Sequence, residues 1–454
     1  MATLLDVVYL ALIAVLSPYL AWSAWRKGKY REGYAEKLFG FVPRRDGDRP
    51  CVWFHAVSVG EVNLLPGLVA RWRERHPDWE VVVSTTTKTG MELARRRFSD
   101  CTVFYCPLDF SWAVRRALRR IRPRLLVLAE LEIWPNLIRT AKRHGVRVAV
   151  VNGRLGEKSF RGYSRLRFFL RHVFGALDLA AAQDGASAQR FVAMGTPSWA
   201  VRVTGSMKYD GAETCRENPK TVALRRLAGI DEDDIVFLAG STQEGEEAIV
   251  LDVFARLASH FPKLRLILVP RHPERFDAVA ERIAATPYSW IRRSALKDGT
   301  PEHWRIMLVD TIGELGAWWG TARLAFVGGS LGNRGGQNMI EPAAYGAAVC
   351  YGPNTWNFRD ITAHMAEAKA AVVVDGADSL ERFLVRCLEE PEYAAELGRR
   401  AKELVAKHRG AVDRTLALLE LLPDASQPPE RRLPSQTSSM NVALPANGKL
   451  RRPA

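Results

Sequence analysis

Short apolar runs alternate with amphipathic segments along almost the whole chain, and the alternation breaks once. The first set of runs is Val52 to His55, Val81 to Thr85, Thr102 to Tyr105, Leu125 to Ala129, Val146 to Val151 and Leu177 to Ala182. Several are apolar at every position, which suits strands covered on both faces. Between them, Glu61 to Arg75 and Trp112 to Ile121 read as helices, the second with Val114, Leu118 and Ile121 on one stripe. Strands and helices alternating in this way predict a doubly wound parallel sheet. The polar stretch 208–221, with Gly211, Asn218 and Pro219, reads as a linker. A second set follows: Ile235 to Ala239, Leu264 to Val269, Ile306 to Val309, Leu324 to Val327, Ala347 to Tyr351 and Ala371 to Val374. The expected fold is α/β, with two Rossmann-like domains and ligands held in a cleft between the carboxyl ends of their sheets. A chain of 454 residues has room for both.

The N-terminus sets a different problem. Thr3 to Trp25 is nearly continuous apolar sequence, broken by Asp6, Ser17, Pro18 and Ser23, and Arg26, Lys27, Lys29 and Arg31 follow. This length and basic collar predict an uncleaved anchor over 1–31 that keeps the following chain in the cytoplasm. A helix lying in the membrane interface satisfies the same residues. A cleaved signal peptide fits less well, because the charged leading segment and a small-residue cleavage site are absent. The chain then divides into the anchor and collar (1–31), a first domain (32–207), the linker (208–221), a second domain (222–422) and a tail (423–454). That basic tail, rich in Pro, Ser and Asn, has too few large apolar residues to pack and is expected to be disordered.

A formal charge of +15 calls for an anionic partner: nucleic acid, an anionic membrane surface or a phosphorylated substrate. The anchor, and the lack of helix-turn-helix, zinc-finger or RNP-type motifs, argue against nucleic acid. Six cysteines without a CxxC pair point to a reducing compartment, with no disulfide framework and no cysteine metal site.

Chemistry concentrates in two places. Phe326 to Pro353 carries the glycine pairs Gly328-Gly329 and Gly335-Gly336 before a helix expected from Asn338 to Tyr345. Glycines let backbone N–H groups approach a ligand, and a helix start favours an anion, so the stretch reads as a phosphate seat with Glu341 in its first turn. An ordinary strand-loop-helix with glycines at tight turns is the plainer alternative. In the first domain, the strand Val52 to His55 runs into Ala56-Val57-Ser58-Val59-Gly60-Glu61. Glu61 there is a candidate general base, or a glutamate favoured by the helix dipole alone.

Several longer segments share one likeness. HAVSVGE (His55 to Glu61), AELEIWPN (Ala129 to Asn136), NGRL (Asn152 to Leu155), TGSMKYD (Thr204 to Asp210), STQEGEE (Ser241 to Glu247), VPRHPERF (Val269 to Phe276), the GGS-GGQN-EPAA stretch and GPNTWNF (Gly352 to Phe358) resemble the bacterial 3-deoxy-D-manno-octulosonic acid (Kdo) transferases of lipopolysaccharide synthesis. The resemblance runs in order from the anchor to about Leu422. It implies a GT-B glycosyltransferase fold and an N-terminal membrane anchor. It also implies inverting transfer of Kdo from CMP-Kdo to a lipid A precursor (lipid IVA) at the cytoplasmic face of a Gram-negative-type inner membrane, with no cofactor and no protein-bound metal.

Carried over by position, the resemblance makes Glu61 the proton acceptor and gives transition-state stabilisation to Glu130 and Lys208. The alternatives are ion pairing for Glu130 and Glu132 and a solvated linker charge for Lys208. CMP binding falls on Pro270, Arg271, Ile312, Gly313, Glu314, Asn338, Met339, Ile340 and Glu341. Gln337 departs from the histidine often found in related sequences, so a phosphate contact there would be neutral. Basic residues on one helix (Arg115, Arg116, Arg119, Arg120) read as a solvated face. Lys158, Arg161, Arg165, Arg167 and Arg171, interleaved with Phe160, Tyr163, Phe168 and Phe169, suit a membrane boundary. Two other readings stay open: a GT-B enzyme using another nucleotide-activated sugar, and a non-catalytic membrane-bound sugar-nucleotide binding protein.

Overall fold

The apolar runs translate directly into layers. In the computed structural model, which describes residues 2–27, 32–296 and 303–422, Leu125–Ala129 is a strand with every residue buried. Its side chains alternate: Leu126 and Leu128 enter the core on one face, Leu125, Val127 and Ala129 the core on the other. Cys51–His55 divides the same way, with Trp53 on the first face and Val52 and Phe54 on the second. A strand packed from both sides has no solvent-facing position, hence its unbroken apolar sequence.

Two units result, Met1–Gly211 with Arg409–Ala454, and Ala212–His408. The first holds β1 (Cys51–His55), β2 (Glu80–Thr85), β3 (Thr102–Tyr105), β4 (Leu125–Ala129), β5 (Arg147–Gly153), β6 (Leu179–Ala182) and β7 (Val201–Val203). All pair in parallel, in the order β3-β2-β1-β4-β5-β6-β7. The second holds β8 (Ile235–Thr242), β9 (Leu264–Pro270), β10 (Trp290–Arg292), β11 (Ile306–Leu308), β12 (Leu324–Val327), β13 (Ala348–Tyr351) and β14 (Val372–Val373). Their order is β10-β11-β9-β8-β12-β13-β14, again parallel throughout. Strand order reverses between β1 and β4 in one sheet and between β8 and β12 in the other, the places where such sheets leave room for a ligand.

Each sheet carries one slip in register, between Val150 and Gly153 of β5 and between Gly240 and Thr242 of β8. Asn152 (φ 52°) and Ser241 (φ 55°) occupy these bulges in the left-handed region, which residues with a Cβ rarely use.

The structure departs from the sequence reading at several points. Glu61 to Arg75 is two helices, Val59–Val62 and Pro66–Arg75, because Pro66 has no N–H to continue the first. The helix expected from Asn338 to Tyr345 is shorter, Ile340–Ala344. Residues 208–211 belong to the first unit and not to a linker. The second unit ends at His408 and not at 422. Helix Ala411–Glu420 returns to the first unit, where Asp210 accepts from the N–H groups of Gly410 (2.5 Å) and Val412 (3.0 Å). Val412, Leu416 and Leu419 of that helix join the core over Val52, Phe54 and Trp72.

At the N-terminus, Ala2–Lys27 is helical, yet among the described residues no helix is long and apolar enough to cross a membrane. The expected anchor is therefore not supported as a bilayer span. Asp6, the charge that weakens such a span, is 6% exposed and hydrogen-bonded to Ser111 of the same unit, while Val7, Val8, Leu10, Leu12, Val15 and Leu16 are exposed. Lys29, Arg31 and the tail 423–454 lie outside the described residues.

Candidate active site

In the first unit, β1 runs through Val57 into Ser58, which caps helix Val59–Val62. The Ser58 Oγ accepts from the Glu61 N–H (3.4 Å) and donates to Glu61 Oε1 (2.8 Å), and the Val57 N–H donates to Oε2 (2.8 Å). Both carboxylate oxygens are thus oriented by a variant of the capping box. Burial pushes the Glu61 carboxyl above the usual range and the charge of Glu130 adds to this, while the Val57 and Ser58 donors pull it back. Beside it, the α-carbon of Gly60 faces open space; the nearest atom to a Cβ built there is Ser58 Oγ at 3.7 Å.

β4 is followed at once by Glu130, whose φ of 53° places it in the left-handed region. Its N–H donates to the Val151 carbonyl (2.9 Å), which fixes the backbone. Lys208 Nζ lies 3.6 Å from Glu130 Oε1, and Asn152 Nδ2 donates to the same oxygen at 3.5 Å. The other end of the Asn152 amide, Oδ1, accepts from the Met207 N–H (2.9 Å), the residue before Lys208. Buried Asn152 therefore braces the carboxylate and the backbone that carries the ammonium. Sequence reading named Asn152 only as the start of the NGRL segment and missed this role; an asparagine closing an apolar strand is the signal for a left-handed residue with a working side chain.

Glu132 completes the group. Trp134 Nε1 donates to its Oε2 at 2.6 Å. Burial first, then the charges of Glu61 and Glu130, push its carboxyl up to about 7. The three glutamates share one electrostatic field, and among the described residues only Glu130 has a cation at hand.

In the second unit, Pro270 ends β9 and the Arg271 N–H donates to the Thr242 carbonyl (3.0 Å), leaving an exposed guanidinium. Burial pushes the Glu341 carboxyl up, while the Asn338 Nδ2 bond (3.0 Å) and the charge of Arg271 pull it down, so these three side chains converge. A Cβ on Gly316 would stand 3.9 Å from Glu341 Oε2, which brings helix Leu315–Trp318 to the same place. Just before it, Ile312 (79% exposed) and Gly313 (φ 90°) form an open turn.

Three of the expected donor residues are engaged within the protein. Glu314 is clamped by Arg293 (2.9 and 2.8 Å), Thr311 (2.7 Å) and Trp318 (3.3 Å). Burial alone would raise its carboxyl, but these donors outweigh burial and hold it below the usual range. Met339 and Ile340 are buried side chains, so only their backbone can meet a ligand.

The first glycine pair also corrects the sequence reading. The N–H groups of Gly329, Ser330 and Leu331 all donate to the buried Glu246 carboxylate, at 2.7, 2.9 and 3.0 Å, and the Gln243 N–H joins them at 2.9 Å. This turn holds an internal anion where a phosphate was expected. Gly328 is required by packing, since a Cβ would fall 2.6 Å from the Ser241 carbonyl. Gln337 lies over Gly329, its Cγ 3.2 Å from where a Cβ would stand.

Comparison with known proteins sets this geometry in context. Residues 32–211 match the family described as 3-Deoxy-D-manno-octulosonic-acid transferase (kdotransferase). The 3-deoxy-D-manno-octulosonic acid transferase of Haemophilus influenzae is 33% identical over 415 residues, covering 91% of this chain and 94% of that protein. The Bordetella pertussis enzyme of the same name is 34% identical over 431 residues, covering 91% and 98%. Among solved structures, UDP-GlcNAc 2-epimerase from Neisseria meningitidis aligns with a TM-score of 0.56 at 12% identity, covering 81% of this chain and 99% of that one. A glycosyltransferase from Rickettsia africae gives 0.54 at 10% identity, covering 84% and 100%. At such identities the likeness is one of fold, two parallel-sheet α/β domains of GT-B type. With a third of its residues shared with these relatives over nine-tenths of its length, the chain belongs to the 3-deoxy-D-manno-octulosonic acid transferase family.

Proposed function

We propose that the protein is an inverting glycosyltransferase that moves Kdo from CMP-Kdo to a lipid A precursor, lipid IVA or a close relative, at the cytoplasmic face of a bacterial inner membrane. The observation that carries this reading is the convergence of Glu61, Glu130 and Lys208 at the strand-order reversal of the first sheet, in a chain of this family. Glu61 takes the proton of the acceptor hydroxyl as its oxygen bonds to the ketosidic carbon of Kdo. The bond from that carbon to the CMP phosphate breaks, and the electron pair leaves with CMP. A single displacement of this kind inverts the centre. Glu130 stabilises the cation-like carbon, and Lys208 balances charge on the departing phosphate. On the donor side, Arg271 meets the phosphate, Glu341 the ribose, and the backbone of Ile312 and Gly313 the base.

Membrane association is supported by surface chemistry. Leu166, Phe168 and Phe169 are 55%, 82% and 52% exposed, beside the exposed Arg165, Arg167 and Arg171. An aromatic pair flanked by guanidinium groups suits an anionic leaflet, and the exposed apolar residues of helix Ala2–Lys27 suit an interfacial position. By contrast, Arg116 and Arg120 of the other basic helix hold the carbonyls of Phe39 and Val42, a structural use.

The test is transfer from CMP-Kdo to tetraacylated lipid A precursor by detergent-solubilised protein, with Glu61→Gln alongside and products weighed by mass spectrometry. Transfer by the parent and its loss in the variant support the reading. A parent that binds CMP but does not transfer Kdo overturns it.

A further inference from the structure

Helix Ala2–Lys27 makes contacts that attachment to a membrane does not need. Helix Ser111–Ile121 begins after Phe110, and helix Pro135–Arg143 after Trp134, neither of which has a side chain that caps. Both are capped from elsewhere. Asp6 of the N-terminal helix accepts from the Ser111 N–H (2.8 Å) and the Ser111 hydroxyl (2.5 Å). Asp109 accepts from the N–H groups of Asn136 (2.9 Å) and Leu137 (2.8 Å).

The two caps are joined. Tyr9 donates its hydroxyl to Asp109 Oδ2 (3.1 Å), the oxygen that holds the Asn136 N–H. The Asn136 side-chain amide donates to the Asp109 carbonyl (2.6 Å) and reaches Asp6 Oδ1 at 3.4 Å. The Tyr9 ring meets the Phe110 ring edge to face, centroids 6.0 Å apart. Asn136 stands two residues after Trp134, whose indole holds Glu132.

We propose that the N-terminal helix positions the segment Glu130–Asn136 for catalysis, with Asp6 and Tyr9 as positioning residues that act through Asp109 and Asn136. This rests on the proposed reaction, since Glu130 and Glu132 matter only if their site is the reacting one. The helix then has a second function beside any attachment: seating it sets the start of helix Pro135–Arg143, and with it the loop that carries two of the three glutamates. Burial pushes the Asp109 carboxyl up to about 6, against the pull of its Asn136, Leu137 and Tyr9 donors, so the cap depends on keeping them.

The test uses the full chain in detergent, as wild type, Asp6→Leu, Asp6→Asn and Tyr9→Phe. Hydrogen exchange is followed in peptides covering residues 130–137. Turnover is measured with the lipid acceptor and with its deacylated, water-soluble counterpart. Loss of the cap in Asp6→Leu is expected to speed exchange of that segment about five- to tenfold and to lower kcat by a similar factor on both acceptors, with KM for the nucleotide sugar unchanged. Asp6→Asn keeps an acceptor oxygen and is expected to recover most of both. Tyr9→Phe deletes one hydroxyl, leaves the fold intact, and is expected to fall between them; it decides the matter if Asp6→Leu unfolds. Unchanged exchange and unchanged kcat on the soluble acceptor overturn the proposal and leave the helix with attachment alone. A wild type that transfers no Kdo removes the functional reading instead, and the exchange comparison then decides the positioning claim by itself.

Discussion

Lys208 Nζ lies 3.6 Å from Glu130 Oε1, both side chains 28% exposed, and Glu130 holds a left-handed backbone conformation to put its carboxylate there. Strain of this kind is kept where the surrounding structure gains from it. Removing the cation with Lys208→Met is expected to lower kcat by about 10²- to 10³-fold while changing stability little, because the pair is partly solvated. Steady-state kinetics beside a thermal melt separates the two effects.

The acid side of the pH–rate profile is expected to report Glu61. Its carboxyl is raised by burial and by Glu130, and the proposed base works only when ionised, so activity is expected to fall on acidification from above the usual carboxylate range. Glu130→Gln removes one of the raising charges. The residual activity of that variant is expected to persist to lower pH than in the parent, measured as kcat against pH.

Glu132 makes the corresponding prediction for stability. A carboxyl raised from 4.5 to about 7 binds its proton more tightly in the folded protein, so its contribution falls as pH rises through that window and is constant above it. Glu132→Gln is expected to flatten the dependence of the denaturation midpoint on pH between those values.

On the donor side, Arg271 and Glu314 are expected to separate. Arg271→Ala removes an exposed cation and raises KM for the nucleotide sugar, on the order of tenfold, with little change in melting temperature. Glu314→Gln breaks the clamp on Arg293 and lowers the melting temperature, with a smaller effect on KM. Equal effects on KM would contradict the assignment of Glu314 to structure.

Glu246 is a purely structural anion by this geometry. Glu246→Ala leaves the N–H groups of Gly329, Ser330 and Leu331 without their acceptor and is expected to cost on the order of 3 kcal/mol or more, read from denaturant unfolding of the full chain.

Much of this was legible in the sequence. The strands Leu125–Ala129 and Leu324–Val327 coincide with their apolar runs, because a strand covered on both faces writes itself without interruption. Glu61 stood out by following such a run, whereas Glu130 and Lys208 were singled out only through the family resemblance. The two edge strands Val201–Val203 and Trp290–Arg292 were missed: three residues covered mainly from one side leave too short a pattern. Glycines misled at Gly328-Gly329, since the need for a bare α-carbon is the same whether a ligand or another backbone comes close. Glu246 could not be foreseen as the occupant of that turn, because the contact joins positions more than eighty residues apart and depends on the strand order β8-β12. The caps of Asp6 and Asp109 stayed hidden for the same reason.

The return of helix Ala411–Glu420 to the first unit has a consequence for biosynthesis. Because the last helix supplies Val412, Leu416 and Leu419 to the core over Trp72, the first sheet to be translated is the last to be finished. The nascent chain carries that apolar surface uncovered while the whole of Ala212–His408 is made. The second unit is contiguous and has no such wait. A nascent chain whose residue 408 has just cleared the ribosome would therefore hold a later unit that is complete and an earlier one that still needs a partner for its core, a natural client for chaperones during synthesis.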